Sequence, residues 1–236
     1  MNKKVLYSII GFAATGIAIA LILRFRKKGA TSNTSDEKKE IPKRILIVGD
    51  SQSAIQTADG KKITFTYPNI LREKLADKGV TIDVLALGGK TTDWMKKNLP
   101  SKLKNNKYDR VIIYGGGNDA SNASIPMSKI TGNIQEMVNM SKDNGAEVYV
   151  NLGYLVQGDF GNHNIMPLTR YLKKKEDWIP YVEKRKELQR VLPKTIKDAK
   201  FILPYDLQSK TKDGIHPTAS GHKIVADVIY DSIVNG

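Results

Sequence analysis

The chain contains no cysteine. Disulfides, thiolate metal centres and cysteine nucleophiles are therefore excluded, and any core must hold without covalent staples. Histidine is scarce too, with three in 236 residues and no carboxylate cluster beside them at ligand spacing, so neither a zinc site nor any other cofactor is expected. Arginine-rich arrays and interleaved aromatic stripes are missing, which argues against nucleic acid as a partner. The glycine-rich stretches also lack the spacing and the Lys-Ser/Thr ending of a phosphate-cradling P-loop.

Positive charge is in excess: 38 Lys and Arg stand against 24 Asp and Glu, for a net charge of +14. This fits either a lysine-rich surface kept soluble by repulsion or attraction to anionic partners such as acidic lipid head groups or wall polymers. The other excess is apolar. Residues 5–23 read VLYSIIGFAATGIAIALIL, uncharged and, as a helix, long enough to span a hydrocarbon core of about 30 Å. Lys3 and Lys4 precede the run, and Arg24, Arg26, Lys27 and Lys28 follow it. A cleavable secretory signal needs a shorter apolar stretch and a small-residue cleavage site, whereas this run enters a basic cluster. The pattern predicts an uncleaved, single-pass N-terminal transmembrane helix. Residues 1–28 are then a membrane anchor with basic flanks, 29–41 a small, polar, flexible linker, and 42–236 the folded domain. The heavier downstream cluster nominally places that domain on the cytoplasmic face, but the asymmetry is small and a domain facing the cell envelope stays open.

Within the domain, short β-branched runs end abruptly at glycine. Residues 44–48 (RILIV), 80–87 (VTIDVLAL), 110–114 (RVIIY) and 146–152 (AEVYVNL) read as buried strands, and 200–203 as a weak fifth. Apolar residues at helical spacing predict helices over 67–78, 125–144, 176–197 (disturbed near Pro193) and 218–234. Strands alternating with helices indicate a parallel sheet covered on both faces. Residues 154–175, which include His163, are the hardest to assign; long connections of this kind often form rims or lids. The unusual sequences GDS, GGKTT and GGGND follow the first three strands directly. In open α/β sheets ligands bind outside the carboxyl ends of the strands, where strand order switches, so an order 2-1-3-4-5 crowds these loops into one crevice.

The chemistry-bearing residues are dispersed. Ser51 follows the first strand in ILIVGDSQS and needs a base before its hydroxyl can attack; by itself it could equally be a helix cap. Asp213 and His216 lie three apart in DGIHPTASGH, a spacing that lets a carboxylate orient one imidazole nitrogen while the other faces a serine. Pro217 disfavours helical geometry at His216 and so holds it in the loop. An acyl-transfer oxyanion needs donors, and the N–H of Ser51, the N–H of Gly89 and the side-chain amide of Asn118 are the candidates. Asp50 and Asp119 read as acceptors that order their loops, His222 as a packing residue of the last helix, and Trp94 and Trp178 as packing or site-lining residues.

In that order, GDS at residues 49–51, GGKTT, GGND at residues 116–119 and DGIHP at residues 213–217 resemble the blocks of the SGNH, or GDSL-type, hydrolases. The resemblance covers about residues 44–234. It implies a flavodoxin-like, three-layer α/β/α fold with a five-stranded parallel sheet and metal-free ester hydrolysis. It places the nucleophile at Ser51, the acid and base at Asp213 and His216, and oxyanion donors at Ser51, Gly89 and Asn118. Gln52 stands where the family's popular name has leucine, a departure of little expected consequence, and Val84 replaces an asparagine usual upstream of the second block. The Gly88–Gly89 pair leaves the oxyanion glycine ambiguous by one position; Gly89 is chosen because the threonine pair follows after one residue. The anchor and the charge suggest an O-acyl ester on an envelope carbohydrate or lipid as substrate. Acyl transfer by the same triad and a non-catalytic, membrane-tethered binding module are the alternatives, and oligomeric state stays open.

Overall fold

The first strand, β1 (Arg44–Gly49), is buried from Ile45 onward because its side chains alternate between two apolar layers. Ile45 and Ile47 face one layer, Leu46 and Val48 the other. Such two-sided burial needs neighbours on both edges, and β1 has them in β2 (Thr81–Ala86) and β3 (Arg110–Tyr114). β4 (Glu147–Asn151) and the three-residue β5 (Lys200–Ile202) complete the parallel sheet that the sequence pattern predicts, in the order β2-β1-β3-β4-β5 that goes with the fold implied by the resemblance. The computed structural model describes residues 40–154, 175–207 and 210–235. The expected anchor at residues 5–23, most of the linker and His163 lie outside them. No helix among the described residues is long and apolar enough to cross a membrane.

Helices α1 (Tyr67–Lys74) and α6 (Ala219–Val234) cover one face, burying Tyr67, Leu71, Val225, Ile229 and Ile233 against Ile45, Ile47 and Ile112. Helices α2 (Thr92–Leu103), α4 (Met127–Asp143) and α5 (Trp178–Thr195) cover the other. The four-residue α3 (Gly117–Ala120) sits at the exit of β3. Each fully buried Leu or Ile contributes about 1.5–3 kcal/mol, so these two layers supply the main stabilising term.

Two elements differ from expectation. Helix α2, which holds Pro100 within it, has no counterpart in the predicted elements. Its buried residues Thr92, Met95, Leu99 and Leu103 nevertheless keep a 3-4-4 spacing, and the proline forfeits only one backbone bond near the helix end. In α5 the chain runs through Pro193 to Thr195 without a break; the Ile196 N–H donates to Leu192 O (2.9 Å) and closes the last turn.

His222 is a packing residue with a defined partner. It is 8% exposed, and its Nδ1 accepts from the backbone N–H of Tyr67 (3.3 Å), joining α6 to α1. Burial, followed by the nearby Lys212 and His216 charges, pushes its pKa down to about 4. The folded protein therefore holds it neutral where an unfolded chain protonates it near 6.5. Its contribution to stability is fully present above about 6.5 and is lost as pH falls toward about 4. Denaturation midpoints across that window should fall less steeply for H222Q than for the wild type; parallel curves would exclude the effect. At the end of β1, a Cβ on Gly49 would lie 2.5 Å from Ser53 Oγ and 3.0 Å from Tyr114 O. G49A should cost about 1–3 kcal/mol in chemical denaturation, because the turn after β1 must move to admit the methyl group.

Candidate active site

β1 lies between β2 and β3, so the loops leaving β1, β2 and β3 open at one end of the sheet. Gly49 ends β1 opposite Tyr114 of β3. A tight turn follows, in which the Ser53 N–H donates to Asp50 O (3.1 Å) and the Gln52 N–H to Asp50 Oδ1 (3.0 Å). Ser51 is half-buried at its crest, while Asp50 and Ser53 are buried beneath it. Ser53 Oγ pairs with the Tyr67 hydroxyl (2.6 Å), tying the turn to α1.

The second half of the site arrives from residues 213–217. Asp213 Oδ1 accepts from the backbone N–H groups of Ile215 (2.9 Å) and His216 (2.6 Å), which folds the loop around the carboxylate. Its other oxygen, Oδ2, meets His216 Nδ1 at 2.9 Å, and His216 Nε2 lies 2.9 Å from Ser51 Oγ. Desolvation pushes the Asp213 carboxyl up, but the hydrogen bonds from the His216 ring and backbone outweigh it and hold the group below the ordinary carboxylate range. A short antiparallel bracket fixes the histidine from behind: Lys212 N–H donates to His216 O (2.7 Å), and Thr218 N–H to Lys210 O (2.8 Å). Thr218 then caps α6 by accepting from the Gly221 N–H (3.2 Å).

Gln52 matters more than its place in the motif suggests. Its amide donates to Ile215 O (3.0 Å), and the Tyr154 hydroxyl donates to the same carbonyl, so the serine turn and the histidine loop are fastened directly. A leucine could not make this bond. Asn118, at the exit of β3, reaches both neighbouring loops: its Nδ2 donates to Lys90 O (2.9 Å) and makes a long contact with Asp50 Oδ2 (3.4 Å). Both amide hydrogens thus have partners, and the N–H at the longer distance is the one that can be shared with a charged oxygen in the crevice. Between the two glycines after β2, a Cβ on Gly88 would lie 3.8 Å from Ser51 Cβ, whereas one on Gly89, which has a left-handed φ of 73°, would meet nothing within 4 Å. Both lie in the same turn beside the serine loop.

Asp119 orders its loop as expected. It accepts from Thr92 N (2.9 Å) and Thr92 Oγ1 (2.6 Å), which begins α2, and Asn133 donates to the same threonine hydroxyl (3.0 Å). Trp178 is a packing residue, edge-on to Tyr181 with centroids 5.8 Å apart, and Trp94 packs partly buried against the core. Two residues of α5 that no motif marks also serve the site. Lys184 donates to Asn122 O (2.8 Å) and Ile125 O (2.6 Å), stapling the loop after α3 to the helix. Arg185, 5% exposed, lines the small cleft of about 20 Å³ beside Ser51, Asn118, Tyr181 and His216. A larger groove of about 830 Å³ shares Ser121 and Tyr181 with that cleft and runs between the loop after α3 and α5, past Asn122, Ser124, Lys184 and Glu187. No cluster of three metal-ligating side chains occurs among the described residues.

The chain is similar to known esterases. An arylesterase of Vibrio mimicus is 26% identical over 196 residues, spanning 81% of this chain and 88% of that protein. Among solved structures, TesA superposes with a TM-score of 0.59 at 22% identity, covering 80% of this chain and 97% of that one. An acetylxylan esterase from Geobacillus stearothermophilus gives 0.62 at 16% identity, covering 83% and 96%. At these identities the structural matches establish the shared fold. The model of the GDSL-like Lipase/Acylhydrolase family matches residues 47–224, from within β1 into α6. A match of that extent, on a fold whose loops carry the family's blocks in order, makes this chain a member of the GDSL-like lipase/acylhydrolase family and a carboxylic ester hydrolase.

Proposed function

We propose that the protein cleaves O-acyl esters through an acyl-serine intermediate at Ser51, on an envelope carbohydrate or lipid substrate. The observation that carries the reading is the unbroken relay from Asp213 Oδ2 through His216 to Ser51 Oγ, each step 2.9 Å. His216 Nε2 takes the Ser51 proton as Oγ attacks the ester carbonyl, and the ionised Asp213 stabilises the imidazolium so formed. The developing oxyanion is received by the N–H groups of Ser51 and Gly89 and by the Asn118 amide, each worth about 2.7–4 kcal/mol of transition-state stabilisation. Collapse expels the alcohol, which leaves with the proton from His216. Water, deprotonated by the same imidazole, then resolves the acyl-serine and restores the hydroxyl.

The groove beside the cleft has room for a large leaving group such as a sugar, and Asn122, Ser124 and Glu187 along it offer hydrogen-bonding partners. The small space at Ser51 suits a short acyl group. The apolar run at residues 5–23 and the net charge of +14 support an enzyme tethered at a membrane, where acidic surface polymers are at hand.

The full chain should react covalently with a fluorophosphonate probe and hydrolyse acetylated sugars faster than long-chain lipid esters in a substrate panel. S51A should lose both activities, by at least about a thousandfold in turnover, with an unchanged circular dichroism spectrum. Wild-type turnover in S51A would remove the mechanism, and a preference for long-chain lipids would remove the carbohydrate assignment. Tethering is tested separately: the expressed chain should sediment with membranes and resist alkaline carbonate extraction, and release into the carbonate supernatant would end that part of the proposal.

A further inference from the structure

Arg185 is a buried charge that the relay itself does not use. Arg185 reaches from α5 to a place behind the Ser51 turn, and two glycines make room for it. A Cβ on Gly117 would lie 2.7 Å from Arg185 Nη1, and one on Gly153 would lie 3.3 Å from Nη2. The same position on Gly117 lies 3.5 Å from Asp50 Oδ2, so guanidinium and carboxylate both border that residue. Asp50 is 3% exposed, and its two oxygens serve the site: Oδ1 accepts from Gln52 N–H, and Oδ2 faces the Asn118 amide. A carboxylate this deep is costly when charged unless a cation offsets it.

We propose that Arg185 is a positioning residue for the hydrolysis assigned above: its buried charge keeps Asp50 an ionised acceptor, and Asp50 in turn holds the Ser51 turn and aims the Asn118 amide. The inference rests on Ser51 being the nucleophile. Burial pushes the Asp50 carboxyl up to about 6, against the lowering effects of the Gln52 N–H and the Arg185 and His216 charges. The other groups facing it are Asp119 on α3, which raises it further, and the hydroxyls of Tyr67 on α1, Tyr114 on β3, Tyr154 after β4 and Tyr181 on α5, all themselves pushed upward by burial. A protonated Asp50 places a hydrogen where the Asn118 amide needs an acceptor. Activity that depends on the ionised form is complete above the Asp50 pKa and is lost as pH falls through it.

The test uses the full chain and two readouts: the pH dependence of kcat and KM for a short-chain aryl ester, and the titration of Asp50 in protein carrying carbon-13-labelled aspartate, its signal identified by its loss in D50N. R185M should move both the acid limb of kcat and the Asp50 titration upward by about one pH unit or more, with KM little changed. R185K, which keeps the charge, should hold both near the wild-type position. The D50N background isolates the effect: D50N/R185M should show the same acid limb as D50N. An Asp50 titration that is the same in R185M as in the wild type overturns the proposal, as does a limb that moves equally with and without Asp50. Should R185M not fold, D50N/R185M decides, since it removes both charges together: a folded protein with the D50N profile supports the pairing, and an unfolded one overturns it. A wild type without hydrolysis would instead defeat the assignment of Ser51, while the carbon-13 titration still reports whether Arg185 governs Asp50.

Discussion

The position of β1 between β2 and β3 is the constraint on which the rest of the structure depends. A strand covered on both edges and both faces has nowhere to send its chain except out through its carboxyl end, and β1 does so at Gly49. Because β3 pairs with β1 in register up to Tyr114, the exits of both strands lie side by side, and the loop from β2 closes the third side. The crevice is thus a product of topology, and its walls are as firm as the two apolar layers that hold the sheet. Ser51, the proposed nucleophile, stands at the crest of the first loop and uses that firmness directly.

Polar contacts, rather than further hydrophobic burial, set the geometry within the crevice. The loops carry little regular structure, so their backbone groups must find partners elsewhere. Asp50, Asp119 and Asp213 each supply two oxygens to neighbouring N–H or hydroxyl groups, and each thereby fixes the residue that matters next to it. Lys184 answers with donors for the carbonyls after α3, and Gln52 with a donor for Ile215 O. Of the three carboxylates, only Asp213 ends below its ordinary range, because only its hydrogen bonds outweigh desolvation; Asp50 and Asp119 are pushed up. The same residue type thus orients an imidazole in one loop and holds a turn in another.

Much of this was legible in the residues. The alternation in Ile45–Val48 and the glycine stops announce buried parallel strands, and the blocks around Ser51, Asn118 and His216 announce where the sheet opens. What could not be read had physical reasons. The helix over Thr92–Leu103 was not expected, although its buried positions are spaced correctly and a proline late in a helix costs one bond rather than the whole element. Gln52 looked incidental, since a partner at Ile215 is invisible until the chain has folded back. Arg185 sits in the run Glu183-Lys184-Arg185-Lys186 of a basic amphipathic helix, where a cation normally faces water; only the space left by Gly117 and Gly153 shows that this one turns inward. Local patterns report burial well and partners poorly.

The bond from Gln52 to Ile215 spans 163 positions, and the contact of Ser51 with His216 spans 165. A chain emerging from the ribosome therefore carries the proposed nucleophile long before its proposed base. Until residues 213–217 have been translated and folded back, Ser51 has no imidazole beside it. A molecule clipped ahead of residue 213 would keep the alcohol and lose the imidazole proposed to act on it.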